Sequence, residues 1–371
     1  MSGALLLTGG TGFLGTEVLA RHLQHSDRPV IALVRAPDDA AAQRRIDTVV
    51  AGIVGSTPSR RTARVEGVAA DMTAPSLGLP WVRVQDLAER VSTIIHSAAS
   101  ISFTLPLAEA REINVEGTRR MLEFAELAQA RGGLDCYAHV STAYVAGSHR
   151  GRFSEADLDV GQAFHNTYEQ TKYEAERLVR SRSTLPFTVV RPSIVVGDRR
   201  SGWTATFNVL YWPLRALARG LFTVVPAVPS APLDVVSVDY VADAIHELCG
   251  PGRSGSGATY NLTAGAQSST IGEITLLASH YFRQPLPEVL PPAEFATHEH
   301  AAALEGASAY FPYFSYGAEF DDAASRARLE PAGISVSPLR EYLERLLDYA
   351  TRARWGKRPI ARTEAFAAFA A

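Results

Sequence analysis

Residues 5–15, LLLTGGTGFLG, place four glycines within seven positions immediately behind an apolar run. The run Ala4-Leu5-Leu6-Leu7 is short and continuous, which reads as a strand buried on both faces rather than a helix. The following FLGTEVLARHLQ carries Phe13, Leu14, Val18, Leu19 and Leu23 at helical spacing. A strand, a glycine turn and a helix therefore follow one another directly. In that setting Gly9-x-x-Gly12-x-x-Gly15 reads as a dinucleotide fingerprint, against the plainer alternative of an ordinary glycine-rich turn. Gly9 permits the turn, Gly12 lets a pyrophosphate approach the backbone, and Gly15 lets the helix pack closely. The free N–H groups of the helix start then face the phosphates.

Strand-like and helix-like segments alternate over the next two hundred residues. RPVIALVRA, ARVEGVAADM, VSTIIHSAAS, LDCYAHVSTAYVAG and LPFTVVRPSIVVGD read as strands, and REINVEGTRRMLEFAELAQARG as an amphipathic helix between two of them. Such alternation predicts an α/β fold, a doubly wound parallel sheet of the Rossmann kind. After residue 198 the rhythm breaks, then returns in LDVVSVDYVADAIHELCG and ATYNLTAG, separated by a Gly/Ser linker at 251–257. Residues 1–198 with 234–265 are assigned to the dinucleotide domain. Residues 199–233 and 266–371 are assigned to a smaller, mostly helical C-terminal substrate domain.

The 371 residues carry a net charge of -3, which gives no electrostatic reason to expect nucleic acid or an anionic membrane as partner. The two cysteines, Cys136 and Cys249, cannot form a disulfide framework and suit a reducing compartment. A first strand so close to Met1 leaves no room for a signal peptide, so the expected location is the cytoplasm. The apolar stretch at 207–229 is interrupted by Pro213, Arg215 and Arg219, so it is not expected to span a bilayer. His22, His25, His96 and His139 are scattered without partners at ligand spacing, and no metal is expected.

The chemistry-bearing string is NTYEQTKYEAERLV, residues 166–179. Tyr168 and Lys172 are four apart and share one helix face. An ammonium beside a phenol is expected to lower the phenol's pKa toward the range useful for acid–base work. In HVSTAYVAG, Ser141 and Thr142 both offer a hydroxyl at the end of the fifth strand, where parallel sheets bind ligands. Strand alternation would let only one of them face the site.

Together these residues resemble the extended short-chain dehydrogenase/reductase family, through TGGTGFLG, Asp71 after the third strand, HSAAS, NVEGT, YEQTK and RPSIVVGD. Within it, IIHSAASISFTLPLAEAREINVEGT, STAYVAG and LDVVSVDYVADAI are similar to the thioester reductase and fatty acyl-CoA reductase branch. The resemblance spans about residues 4–265. It implies a catalytic set of Thr142, Tyr168 and Lys172, with Asn114 supporting a proton relay. It implies phosphate contacts at Thr8, Gly9, Thr11, Gly12, Phe13, Leu14 and Gly15, and adenine contacts at Asp71 and Met72. Ser97, Ala98 and Ala99 would line the cofactor, Lys172 would contact its ribose, and Pro192 and Ser193 would flank the nicotinamide.

The implied activity is NADPH-dependent reduction of an acyl thioester, held on coenzyme A or a carrier protein, to an aldehyde or, by a second reduction, an alcohol. The alternatives are a nucleotide-sugar epimerase or dehydratase, a reductase of a free ketone or aldehyde, and a non-catalytic cofactor sensor. NADPH is expected over NADH because Arg35 ends the second strand, about twenty residues past Gly15, where an acid would otherwise take the ribose hydroxyl. Arg44 or Arg45 would add to it. A tethered substrate is expected along residues 199–234. There Trp203, Phe207, Leu210, Tyr211, Trp212 and Leu217 offer an apolar lining, and Arg199, Arg200, Arg215 and Arg219 could meet phosphate or an acidic carrier.

Overall fold

The computed structural model describes residues 3–55, 62–207, 209–221, 223–250, 253–255, 257–295 and 302–370. Positions 251, 252 and 256 of the expected Gly/Ser linker lie outside these residues.

Seven strands form the central sheet of the described residues. They are β1 (Ala4–Thr8), β2 (Val30–Val34), β3 (Val65–Ala69), β4 (Val91–His96), β5 (Cys136–Val140), β6 (Phe187–Pro192) and β7 (Thr259–Leu262). All pairs are parallel, in the order β7-β6-β5-β4-β1-β2-β3. The order reverses between β1 and β4, which opens a ligand crevice at their C-terminal ends.

Five helices flank the first six strands: α1 (Phe13–His25), α2 (Asp39–Val54), α3 (Trp81–Arg90), α4 (Gly117–Arg131) and α5 (Thr167–Arg180). Burial on two faces explains the unbroken apolar run of β1. Leu5 and Leu7 pack with Val18 and Leu19 of α1, whereas Ala4 and Leu6 meet Leu87 of α3, Leu122 of α4 and Val179 of α5. Helix α4 is entered through a short helix, Leu107–Arg111, and a π-helical turn, Glu112–Glu116.

The fifth strand is shorter than its sequence suggests. β5 stops at Val140, and Thr142 then caps a 3₁₀ turn, Ala143–Ala146, by accepting the Tyr144 N–H at 3.3 Å. Ser141 and Thr142 thus lie beyond the strand, where alternation no longer dictates which hydroxyl faces the site. A polar cap competes with strand pairing there.

Beyond Pro192 the chain leaves the sheet and comes back. Ile194–Val196 pairs in parallel with Val235–Ser237. The stretch 199–233 contributes one helix, α6 (Tyr211–Ala218), and α7 (Val238–Cys249) then packs Val241 and Ile245 into the core shared with β1. After β7 come α8 (Ile271–Phe282), α9 (Leu343–Arg352) and α10 (Arg362–Ala370). Tyr211, Leu214, Ile274, Tyr342 and Leu346 belong to a separate apolar core in this region. Within it lies an apolar cavity of about 50 Å³, walled by Leu210, Leu214, Leu217, Ile271, Ile274 and Phe314. Both cysteines are buried free thiols. Among the described residues no helix is long and apolar enough to cross a membrane.

Candidate active site

The glycine turn closes on its own backbone. A Cβ at Gly15 would lie 2.0 Å from the Gly9 carbonyl oxygen, and one at Gly9, whose φ is +74°, would lie 2.9 Å from the Ala98 nitrogen. Neither position tolerates a side chain. The Gly12 N–H donates to the Gly9 carbonyl at 2.8 Å, and Gly12 stands exposed at the start of α1 with no side-chain cap. The first-turn amides of α1 at Phe13, Leu14 and Gly15 therefore face outward without helical acceptors. This cradle fits a coenzyme pyrophosphate.

The other predicted cofactor residues gather around the same crevice. Thr8 is turned inward: its hydroxyl accepts the N–H groups of Ser97 and Ala98, both at 3.1 Å, and bonds His96 Nδ1 at 2.9 Å. It joins the ends of β1 and β4 instead of offering itself to a phosphate. Asp71 accepts the Thr73 hydroxyl at 2.7 Å and its N–H at 2.9 Å, which holds the carboxylate below its usual range with help from Arg35 and Arg120. The Met72 carbonyl accepts from Arg120 at 2.9 Å. Arg35 is exposed at the end of β2, and Arg45 of α2 donates to its backbone carbonyl; Arg44 and Arg45 are also exposed. Among the described residues, no carboxylate lies within ion-pair distance of the three.

Thr142, Tyr168 and Lys172 converge at the ends of β5 and β6. Asn166 caps α5 by accepting the Glu169 N–H at 3.0 Å, which fixes where the helix carrying Tyr168 and Lys172 begins. Lys172 is buried and donates to the Val140 carbonyl at 2.7 Å. Burial lowers its pKa to about 8, against the raising effect of Glu176. Burial pushes the Tyr168 phenol up to about 12, while hydrogen bonding with Thr142 pulls the other way. The expected lowering by Lys172 is absent: that ammonium is anchored at the end of β5 and is not among the groups acting on the phenol. Tyr168 is a protonated phenol at neutral pH. Thr142 also donates to the Pro192 carbonyl at 3.3 Å.

Ser141 faces elsewhere. Its hydroxyl donates to Glu176 at 2.6 Å, inside a fully buried pair in which Arg191 grips the same carboxylate at 2.7 Å. Asn114, in the π-helical turn, accepts the Ser100 N–H at 2.7 Å and donates to Thr171 at 3.0 Å. Its amide ties the loop after β4 to α5. Ser193 is buried beside Pro192, near Asp234. His96 and His139 sit beneath Lys172, and burial holds both imidazoles well below their ordinary pKa. Among the described residues no cluster of His, Cys, Asp or Glu could hold a metal ion.

An aromatic wall leads away from Tyr168, and most of it escaped the sequence reading. The Tyr168 and Phe103 ring centroids are 5.8 Å apart, Phe103 and Tyr310 5.7 Å, and Tyr310 and Trp212 of α6 6.2 Å, nearly parallel. Tyr313 stacks on Phe103 at 5.4 Å and donates to the buried Glu169 at 2.6 Å. Asn166 donates to the Tyr313 hydroxyl at 2.8 Å, so the segment is tied to the start of α5. The density of aromatics in AYFPYFSYG was the available signal.

The stretch 199–234 only partly lines this site. Trp212 belongs to the wall, and Leu210 and Leu217 face the cavity. Trp203 and Phe207 instead join Tyr349, Ala365 and Phe13 in a separate cluster under α10, and the Tyr211 hydroxyl is buried against the Gly197 N–H. Arg199 pairs with Asp239 at 2.9 Å, and the Arg200 guanidinium lies over Phe369. Those two arginines are held by the protein itself. Arg215 and Arg219 have no carboxylate partner among the described residues.

A glycine cradle at a sheet switch point, with Thr, Tyr and Lys gathered beside it, defines a nicotinamide-dependent oxidoreductase of the extended short-chain dehydrogenase/reductase type. The chain belongs to the family described as male sterility protein, whose model matches residues 7–245. It is 30% identical over 273 residues to a putative fatty acyl-CoA reductase of Drosophila melanogaster, covering 64% of this chain and 50% of that one. It is also 30% identical to the L-2-aminoadipate reductase large subunit of Penicillium chrysogenum, covering 65% and 18%. The chain thus spans half or less of these relatives. The crystal structure of the terminal R domain of the myxalamid PKS-NRPS pathway superposes with a TM-score of 0.81 at 27% identity, covering 97% of this chain and 93% of that one.

Proposed function

We propose that the protein reduces an acyl thioester, on coenzyme A or a carrier protein, to the aldehyde at the expense of NADPH. The observation that carries this reading is the gathering of Thr142, Tyr168 and Lys172 at the ends of β5 and β6, with the Tyr168 phenol hydrogen-bonded to Thr142 and Lys172 fixed on the Val140 carbonyl. Reduction of a carbonyl creates an oxyanion, which needs a proton donor rather than a base. The bound coenzyme supplies the hydride. Thr142 and Tyr168 hold the substrate carbonyl oxygen, and the Tyr168 proton ends on it. Lys172, anchored to the Val140 carbonyl, holds its positive charge at the end of β5 below pH of about 8. The resulting hemithioacetal breaks its C–S bond, and its hydroxyl proton leaves with the thiol. Asn114 holds the Ser100 loop against α5 and so positions the set.

NADPH is favoured by Arg35 at the end of β2 with Arg45 of α2 held against its backbone, exposed cations suited to a 2′-phosphate. Relatives named as acyl-CoA and aminoadipate reductases support the thioester. The test offers NADPH with acyl-coenzyme A, the matching free acid and aldehyde, and a panel of sugar nucleotides. Oxidation of NADPH with the thioester supports the proposal. Turnover of a sugar nucleotide with tightly held NAD, and none with any thioester, overturns it.

A further inference from the structure

Three ring-to-ring steps run outward from the reactive phenol: Tyr168 to Phe103, Phe103 to Tyr310, and Tyr310 to Trp212. The last ring is on α6. Residues three and four positions apart share a helix face, so Trp212, Arg215 and Ala216 form one stripe, and Arg219 follows it as the residue that caps the C-terminus of α6. The opposite stripe, Tyr211, Leu214 and Leu217, is buried in the C-terminal core. The outer stripe and its cap therefore run from a half-buried aromatic ring to two cations, of which Arg215 is half-buried and Arg219 exposed. Along the helix Arg215 lies about 4.5 Å from Trp212 in axial rise, with Arg219 at the helix end.

Neither guanidinium has an acidic partner among the described residues, whereas Arg199 and Arg200 in the same stretch are held by Asp239 and Phe369. Two adjacent unpaired guanidiniums suit an anion with several oxygens, above all a phosphate. An aromatic wall between reactive phenol and cations suits a long, uncharged, flexible arm. We infer that Arg215 and Arg219 bind the phosphate at the far end of the pantetheine arm that carries the thioester, while Phe103, Tyr310 and Trp212 flank the arm. This rests on the thioester reading above and adds a specific anion subsite to it. The phosphate is common to coenzyme A and to a carrier protein's prosthetic arm.

The experiment compares the same acyl group on pantetheine, which lacks the phosphate, and on 4′-phosphopantetheine. For the wild-type chain the phosphate lowers KM about tenfold, as expected of charge-assisted contacts at a partly exposed site, and rising ionic strength erodes the advantage. In Arg215→Gln/Arg219→Gln the KM ratio collapses toward one. Equal KM values for the two arms in the wild type, or a ratio untouched by the substitutions, overturns the phosphate subsite while leaving thioester reduction standing. Failure of the wild type to reduce any thioester overturns the thioester reading itself, and the subsite with it. Acyl-coenzyme A and acyl carrier protein, run through the same pair of enzymes, identify the source. A loss confined to one of them assigns the phosphate to that donor, and a loss with both assigns it to either.

Discussion

The carbonyl oxygen of Val140 accepts the ammonium of Lys172 at 2.7 Å, so the lysine four residues after Tyr168 is anchored to the end of β5 and not to the phenol. Burial lowers that ammonium to about 8, below its ordinary 10.5. The unfolded chain therefore binds more protons between those values. The burial penalty is present in full at lower pH and is relieved as pH rises through this window. In the proposed mechanism the same ionisation removes the positive charge held at the end of β5. The kcat/KM for thioester reduction should fall as pH rises through about 8, and Lys172→Arg, which stays charged, should lose that limb. A limb unchanged in Lys172→Arg assigns the ionisation to another group.

Arg35 should govern coenzyme choice. Arg35→Ala is expected to raise KM for NADPH by roughly tenfold or more, the scale of a lost charge-assisted phosphate contact, with little change for NADH. Initial rates with the two coenzymes decide the matter. An intact preference in the variant assigns the 2′-phosphate to Arg44 or Arg45, and a wild type that prefers NADH removes the phosphate site altogether.

The glycine turn makes separable predictions. Gly15→Ala forces a Cβ to within 2.0 Å of the Gly9 carbonyl, whereas at Gly12 the nearest atom is 3.2 Å away. Gly15→Ala should lower the unfolding midpoint even without coenzyme. Gly12→Ala should leave that midpoint near wild type and weaken coenzyme binding, because its methyl stands where the pyrophosphate approaches. Thermal unfolding together with a fluorescence titration separates the two. Equal midpoints for both variants contradict the packing argument.

Glu176 and Arg191 are both fully buried and 2.7 Å apart. Burial alone would raise the Glu176 carboxyl, but Arg191, with Arg180 and Ser141, brings it below its ordinary 4.5. A depressed carboxylate contributes stability above its unfolded pKa and loses it as pH falls through the lower folded value. Arg191→Met strands the charge and should cost about 3–5 kcal/mol, read by urea unfolding at neutral pH. The deficit should shrink in acid, where Glu176 is neutral. A deficit independent of pH assigns the loss to packing around Phe153, whose ring lies under the guanidinium.

The sheet, the glycine cradle and the placement of Tyr168 and Lys172 on one face of α5 were legible because each rests on local spacing. Strand alternation, Gly-x-x-Gly and a four-residue helical offset need no knowledge of distant contacts. What the sequence hid depends on long-range packing. The resemblance already pointed to Thr142, but the reason Ser141 turns away is Glu176, 35 residues on, which takes the serine hydroxyl. The aromatic wall joins Phe103, Trp212 and Tyr310 from three separate segments. No local pattern announces that Arg362 of α10 reaches back 345 residues to the buried Glu17 of α1 at 2.5 Å. The raised pKa of Tyr168 came from burial, which a Tyr-x-x-x-Lys spacing does not encode.

The most direct measurement follows free thiol and NADPH together, with acyl-phosphopantetheine as substrate, for the wild type and Tyr168→Phe. Thiol should appear in step with NADPH consumed in the wild type, since the C–S bond breaks only after hydride reaches the carbonyl carbon. Tyr168→Phe should bind NADPH normally yet turn over about 10²–10⁴-fold more slowly, the usual worth of a positioned proton donor. Thiol release without NADPH consumption, or near-normal turnover by Tyr168→Phe, contradicts the account.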